Sequence, residues 1–339
     1  MKIIVDAMGG DNAPDEIVKG AINAIDKFDC EIILTGIGVK IFQVLENNGV
    51  RNIPKGLEIV DTTEVVYIDD DPATVIRQKK DSSLVVGLTM LRDGRADAFV
   101  SAGSTGALLS GATLIVKRIR GIRRAALAPF IPNSKNGFIL IDCGANAECT
   151  SEYLLQFAYM GSYYAQDILS LDKPRVGLLN NGAEKSKGTP LQLETYELLE
   201  KAHAGGRLNF VGNVEPSDAI KGACDVLVCD GFNGNILLKT IEGTAKFIMS
   251  EIKSVFYKNL CTKICGKIVK KHMGSLREKM NPDAVGGTAL LGISKPVIKA
   301  HGSSNATAIV AAIGQAISAN RADTASRLAK NIDKMKISH

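Results

Sequence analysis

Ser101, Ser104 and Thr105 fall within five residues of one another in the stretch SAGSTGALLSGATL, 101–114, among Gly103, Gly106 and Gly111 and without one charged side chain. Glycines let such a stretch turn tightly. If a strand ends at Val100 and a helix begins near Ala107, the hydroxyls sit at a helix start. Unpaired N–H groups and the positive end of the helix dipole favour an anion there. Phosphate binding is one chemistry that suits these residues. An ordinary capped turn, with Ser104 or Thr105 as N-cap, is the plainer alternative.

Five further turns have the same character. DAMGGDNAP, 6–14, sets Asp6 and Asp11 on either side of Gly9 and Gly10. Asp11 or Asn12 can cap the next helix, with Pro14 in its first turn, but a cap needs neither Asp6 nor the glycine pair. DCGANAEC, 142–149, carries Asp142 and Asn146. Its Cys143 and Cys149 have neither a base nor the further ligands that a nucleophile or a zinc site requires. NNGAEKSKGT, 180–189, holds Lys185 and Lys187, either of which could neutralise a phosphate or a developing oxyanion. In CDGFNGNILLKT, 229–240, Asp230, Gly231, Gly234 and Asn235 read as a polar turn before a helix. Asn235 can donate and accept through its amide, or serve as an N-cap. KAHGSSNAT, 299–307, offers His301, Ser303 and Ser304 ahead of the closing helix, with His301 a possible acid, base or phosphate donor. Taken singly, each turn is explained by capping or solvation. Their weight comes from falling at one place in the fold.

The elements around them say where that place is. IIVDAMGG, AFVSAGSTG, FILIDCGAN, VGLLNNGAE and VLVCDGFNG each run from a β-branched stretch into a small polar residue and a glycine turn. Helical patterns intervene, among them Asp15–Phe28, Ser83–Asp93 and Leu191–Ala204, with a closing helix over Asn305–Ile317. Uniformly apolar strands alternating with helices predict a mainly parallel sheet covered on both faces, a three-layer α/β/α fold. Every strand of such a sheet delivers its carboxyl end to one edge, so the polar turns converge on one crevice. The spacing of the turns is too irregular for a solenoid. No low-complexity linker divides residues 1–339, which read as one α/β domain. After about Thr240 a Lys-rich amphipathic pattern forms a helical excursion over 241–280, and Pro282 with Val285–Gly287 marks the return.

Hydrophobic residues at 45% and charged residues at 23% are ordinary for a soluble globular protein. A net charge of +5 with no Trp gives little support to nucleic-acid binding. Seven cysteines without a CxxC pair read as reduced thiols in the cytoplasm. The uncharged run from Ala98 to Val116 is better explained as strand, loop and buried helix than as a membrane span. The N-terminus enters a strand directly, without a signal peptide. The Walker loop, the G-x-G-x-x-G fingerprint and the G-x-S-x-G elbow do not occur, and His203, His272, His301 and His339 show no metal-ligand spacing. No metal or cofactor is expected.

Two stretches point to partners. KRIRGIRR, Lys117–Arg124, has five basic residues in eight and suits an acidic protein or a solvated helix end. In Glu251–Lys271, Ile252, Val255, Phe256, Leu260, Ile264 and Ile268 recur at helical spacing among lysines. Such a helix fits an anionic membrane surface equally with packing on its own domain or a dimer mate.

Taken in order, VDAMGGDNAP, SAGSTGAL, DCGAN, CDGFNGN and KAHGSS resemble the phosphate acyltransferases of bacterial phospholipid synthesis, the PlsX type, from Met1 to about Ser318. The resemblance implies a homodimeric α/β/α fold akin to isocitrate dehydrogenase and phosphotransacetylase. It implies transfer of a fatty acyl group from acyl carrier protein to inorganic phosphate, with the acyl phosphate passed to a membrane acyltransferase, in a cytoplasmic protein peripherally attached to the membrane. It also implies catalytic roles for Lys187, in the family's KG pair, and Asn235, in its GN turn. The helical tip that meets the membrane matches about Ile252 to Met280. Phosphate is expected among Asp6, Gly9, Gly10, Asp11, Ser101, Gly103, Ser104, Thr105, Gly106, Asp142, Asn146, Asp230, Gly234, His301, Ser303 and Ser304. A phosphotransacetylase using acyl-coenzyme A and a non-catalytic membrane-bound scaffold are the alternatives.

Overall fold

The twelve strands of the computed structural model, which describes residues 1–270 and 286–335, are β1 Lys2–Asp6, β2 Glu31–Gly36, β3 Leu57–Asp61, β4 Ala98–Ser101, β5 Ala126–Ala128, β6 Phe130–Ile131, β7 Phe138–Ile141, β8 Arg175–Leu179, β9 Asn209–Val214, β10 Val226–Val228, β11 Thr288–Leu291 and β12 Val297–Lys299. They form two sheets. One has seven strands in the order β3-β2-β1-β4-β12-β11-β5 and the other five in the order β6-β7-β10-β8-β9. Pairing is parallel except at β11 and β6, which run against their neighbours. The α/β class with mainly parallel pairing is as expected; the division into two sheets is not visible in the local pattern.

Both faces of the larger sheet are buried, which is why its strands are apolar throughout. Along β1, Ile3 and Val5 enter one core and Ile4 the other. The first core is closed by helices Asp15–Phe28 and Ala306–Ala322, which lie together where Gly20 faces the Ala306 carbonyl and Ile309. An added Cβ on Gly20 would stand 2.6 Å from Ile309 Cβ, so only glycine allows this approach. Helix Ser83–Arg92 covers the other face, with Gly87 set against the Phe99 ring.

Register aligns the sites. Val5 pairs Val100 and Lys299 pairs Ser101, so Asp6, Ser101 and Lys299 end three adjacent strands side by side. In the smaller sheet Val228 lies between Ile141 and Leu178, which brings the turns after β7, β10 and β8 to one edge. Asp142 links the two sheets, because its Oδ1 accepts the N–H of Leu127 on β5 at 2.8 Å.

The helix of the excursion runs unbroken from Gly231 to Phe256, so it begins nine residues before the change of composition at Thr240. A second helix spans Leu260–Lys270, and the expected continuation to residue 280 lies outside the described residues. Val255, Ile264 and Ile268 are exposed, as are Phe247 and Tyr257. Ile252 and Phe256 are partly covered, and Phe256 lies against Gly266. The side chain of Leu260 lies outside the described residues. Among the described residues no helix is long and apolar enough to cross a membrane.

Candidate active site

A cavity of about 840 Å³ opens at the sheet edge where the turns were expected to meet. Thr105, Cys143, Gly144, Asn235, Lys239, Lys299, His301, Gly302 and Ser304 line its polar part. These come from four of the six turns and from the helix that follows one of them. Leu127, Pro129, Phe130, Ile131, Ile220, Leu238, Ile241 and Ile248 line an apolar part that runs along helix Gly231–Phe256.

The Asp6 turn stands behind this wall. Asp6 is buried and accepts the Ser101 hydroxyl at 2.7 Å and the Met8 N–H at 3.2 Å. Burial pushes its carboxyl above the usual range, against the pull of these hydrogen bonds. Ser101 Oγ in turn accepts the Gly103 N–H at 3.0 Å. Ser101 thus gives its one proton to Asp6 and positions the glycine turn. Gly9 fits between these groups, since an added Cβ would stand 2.6 Å from Asp6 Oδ2 and 2.7 Å from Gly103 N. Gly10 takes φ +105°, and the next N–H, of Asp11, donates to Gly302 O at 2.8 Å. Asn12 Nδ2 reaches the carbonyls of Ser303 and Ser304. Neither Asp11 nor Asn12 caps the helix: the Asn12 amide is engaged with the 299–305 turn, and Pro14 occupies the N-cap position. Ser104 does cap its helix, accepting the Ala107 N–H at 3.4 Å, and Thr105 is exposed to the cavity, with Gly106 packed on Pro72.

Asp142 and Asp230 are organisers. Asp142 accepts N–H groups from Leu127, Cys143, Ala145 and Asn146, together with the Asn146 amide. Burial raises its carboxyl pKa against these donors. Asn146 also donates to Ala125 O. Asp230, rather than Asn235, is the N-cap of the long helix and accepts the Asn233 N–H at 2.9 Å. Gly231 and Gly234 therefore belong to the helix. The sequence suggested a turn because glycine is a poor helix former, but here the first turn lies against the Asp142 and Asn146 carbonyls, where a Cβ would overlap. Asn235, one turn in, is exposed to the cavity.

Lys185 and Lys187 are distinguished by their partners. Lys185 Nζ is 2.6 Å from Glu200 and lies over the Tyr196 ring at 5.2 Å. The Lys187 ammonium has no hydrogen bond or ion pair among the described residues, and its carbonyl accepts Asn180 Nδ2 at 3.0 Å. Lys187 is exposed at the edge of the smaller sheet, beyond the residues that line the cavity.

Two lysines in the cavity wall were not singled out as site residues. Lys239 lies four residues after Asn235, on the same helix face, and pairs with Glu242 at 2.9 Å. Lys299 ends β12, and burial lowers its ammonium pKa to about 8. The signal for Lys299 is a lone charge inside an apolar strand, PVIKA. His301 Nδ1 accepts the Ser303 N–H at 3.2 Å, leaving Nε2 to carry the proton in the neutral ring. Burial first, then Lys239, lowers the His301 pKa, so the neutral ring prevails near pH 7. Ser303 Oγ lies 2.9 Å from the same ring nitrogen. Ser304 is 1% exposed and its hydroxyl has no hydrogen-bond partner among the described residues.

The cysteines are poorly placed for nucleophilic work. Burial pushes Cys143 and Cys229 well above the usual thiol range, and Cys149 and Cys224 to about 12. Among the described residues no group of three or more His, Cys, Asp or Glu side chains could hold a metal ion.

Solved structures with this fold include a phosphotransacetylase from Streptococcus pyogenes, with a TM-score of 0.63, 20% identity and coverage of 95% of this chain and 94% of that one. A branched-chain phosphotransacylase from Enterococcus faecalis V583 gives a TM-score of 0.55 at 16% identity over 93% and 98% of the two chains. At these identities the likeness concerns the fold. Closer relatives are the phosphate acyltransferase of Thermoanaerobacterium thermosaccharolyticum, 45% identical over 98% of this chain and 97% of its own, and that of Lactococcus lactis subsp. lactis, 45% identical over 99% of each. The model of the family described as "Fatty acid synthesis protein" matches residues 1–327. With the relatives aligned over nearly the whole chain, this places the molecule: it belongs to the fatty acid synthesis protein family, the PlsX-type phosphate acyltransferases.

Proposed function

We infer that the protein transfers a fatty acyl group from the thioester of acyl carrier protein to inorganic phosphate. The observation that carries this reading is one cavity lined both by polar groups from several turns and by a larger set of apolar side chains. Phosphate occupies the polar end, near Thr105, Asn235, His301 and Ser304, and the acyl tail lies along Leu238, Ile241 and Ile248. A phosphate oxygen attacks the thioester carbonyl carbon, the C–S bond breaks, and the carrier's sulfur leaves as thiolate and takes up a proton. Asn235 stabilises charge on the phosphate and on the oxyanion, with His301 presenting its Nε2–H to the same region, and Lys187, which the family resemblance adds, joins them from outside the cavity lining by a movement of its exposed loop. No enzyme nucleophile is required, in keeping with the raised thiol pKa of the cavity's cysteine.

The acidic carrier docks on Lys117–Arg124. In this run Arg123 is engaged with Glu152, while Arg120 is exposed and has no partner among the described residues. The exposed apolar residues Phe247, Val255, Ile264 and Ile268, interspersed with lysines, bring the cavity to an anionic membrane surface where a membrane acyltransferase takes the product; a second copy of the chain completes a homodimer.

The test compares acyl donors. Burial of each methylene contributes about 0.8 kcal/mol, so each two-carbon extension lowers KM roughly tenfold until the apolar part is full. A long-chain acyl carrier thioester is expected to exceed acetyl-coenzyme A in kcat/KM by several orders of magnitude. Equal or better use of acetyl-coenzyme A would favour a phosphotransacetylase. Unchanged turnover in Lys187→Ala would remove that lysine from the chemistry, and no turnover with any donor would leave the scaffold role.

A further inference from the structure

The geometry points to Lys299 as the cation that holds phosphate in the cavity, with Ser304 as its hydroxyl partner. This rests on the reading of the cavity as the phosphate site and assigns it a cation, Lys299, that the sequence reading did not. Lys299 ends β12 in register with Ser101, and its ammonium donates to the carbonyl oxygens of Ala102, at 3.3 Å, and Ala300. An ammonium has three N–H donors, so one is left over. Among the described residues no carboxylate lies within ion-pair distance of it. A part-buried charge held only by carbonyls is poorly compensated, and an anion would complete it.

The second observation is independent. Ser304 lines the same cavity, is 1% exposed, and its Oγ has no hydrogen-bond partner among the described residues. An unpaired buried hydroxyl costs about 1–3 kcal/mol. A phosphate oxygen can accept its proton. Lys299 and Ser304 line the same cavity, and the His301–Ser304 turn is pinned to the Asp11 turn through the Asp11 N–H to Gly302 O bond.

The groups facing Lys299 set its titration. Burial is the main cause of its pKa falling to about 8, with Asp11 and Asp6 pulling it up and Lys239 on the facing helix pulling it down. His301 beside it stays largely neutral near pH 7. The free site is therefore mostly charged at pH 7 and mostly neutral above pH 9. Phosphate binding is strongest below pH 8 and weakens with rising pH.

The test is titration of the full-length protein with inorganic phosphate in a calorimeter, without any acyl donor, followed by steady-state kinetics. Lys299→Met is expected to weaken phosphate binding by tenfold or more, and Ser304→Ala by three- to tenfold. In turnover, Lys299→Met raises KM for phosphate by a similar factor while KM for the acyl donor stays within about twofold. In the unmodified protein the dissociation constant rises roughly tenfold per pH unit above pH 8. A folded Lys299→Met that binds phosphate like the parent overturns the assignment. Should that variant not fold, a dissociation constant unchanged from pH 8 to 9.5 overturns it equally. Phosphate binding that depends on Lys299 in a protein that does not turn over acyl carrier thioester would refute the donor reading and leave this assignment standing.

Discussion

Gly234→Ala tests how the smaller sheet positions the reacting groups. Gly234 lies in the first turn of the helix that carries Asn235, against the end of β7. A methyl group there would overlap the Asp142 carbonyl oxygen and stand 2.8 Å from Cys229 Sγ and 3.0 Å from the Asp142 carbonyl carbon, where ordinary contact is 3.4–4 Å. Relief requires the helix start to retreat by about 1 Å, which carries Asn235 with it. Displacements of that size cost about 100-fold in rate when they reach reacting groups, and overpacking costs about 1–3 kcal/mol in stability. Gly243→Ala is the control, because it lies in the same helix with nothing within 4 Å of an added Cβ. It should gain up to about 1 kcal/mol from helix propensity and keep full activity. The assay is thiol release at saturating phosphate, with thermal unfolding alongside. Parent-like kcat/KM and Tm in Gly234→Ala would refute the reasoning.

Other expectations follow from named contacts. Lys185→Ala, which loses an exposed ion pair, should leave stability and kcat nearly unaltered, while Lys187→Ala should reduce kcat by at least about 100-fold; steady-state kinetics and melting separate the two. Cys143→Ser should retain turnover, and iodoacetamide at pH 7.5 should leave Cys149 unlabelled, because its thiol pKa is pushed to about 12; mass spectrometry reads the labelling. The Ala306 N–H bonded to Glu16 holds that carboxyl below its usual range, so its contribution to stability is present above the unfolded glutamate pKa and is lost as pH falls through the folded value; Glu16→Gln should flatten that part of the Tm-versus-pH curve. Replacing Val255, Ile264 and Ile268 together by Ser should abolish sedimentation with anionic vesicles while leaving turnover of soluble donor intact.

Much of this architecture is written in local patterns. The helix expected over Asp15–Phe28 has those bounds, and the strands before the five glycine turns are all present, because a β-branched run ended by glycine is unambiguous at short range. What escaped depends on distant pairing. Nothing in the text of β6 or β11 says that each runs antiparallel, or that the strands divide into two sheets. Gly231 and Gly234 suggest a loop until the Asp142 carbonyl beside them explains their absence of side chains. Asp142 and Asp230 read as ligands, yet their oxygens are engaged by donors of their own turns and, for Asp142, by the Leu127 N–H of β5. Lys239 and Lys299 were overlooked for the opposite reason. Each sits inside a helix or strand, and only tertiary structure turns it toward the cavity.

Direct attack by phosphate is the central step, and a single-turnover measurement addresses it. Enzyme in excess over long-chain acyl carrier thioester is mixed with and without inorganic phosphate, and free thiol and acyl phosphate are followed together. Direct attack gives no thiol release without phosphate, and equal amounts of thiol and acyl phosphate with it. A burst of thiol in the absence of phosphate would contradict it.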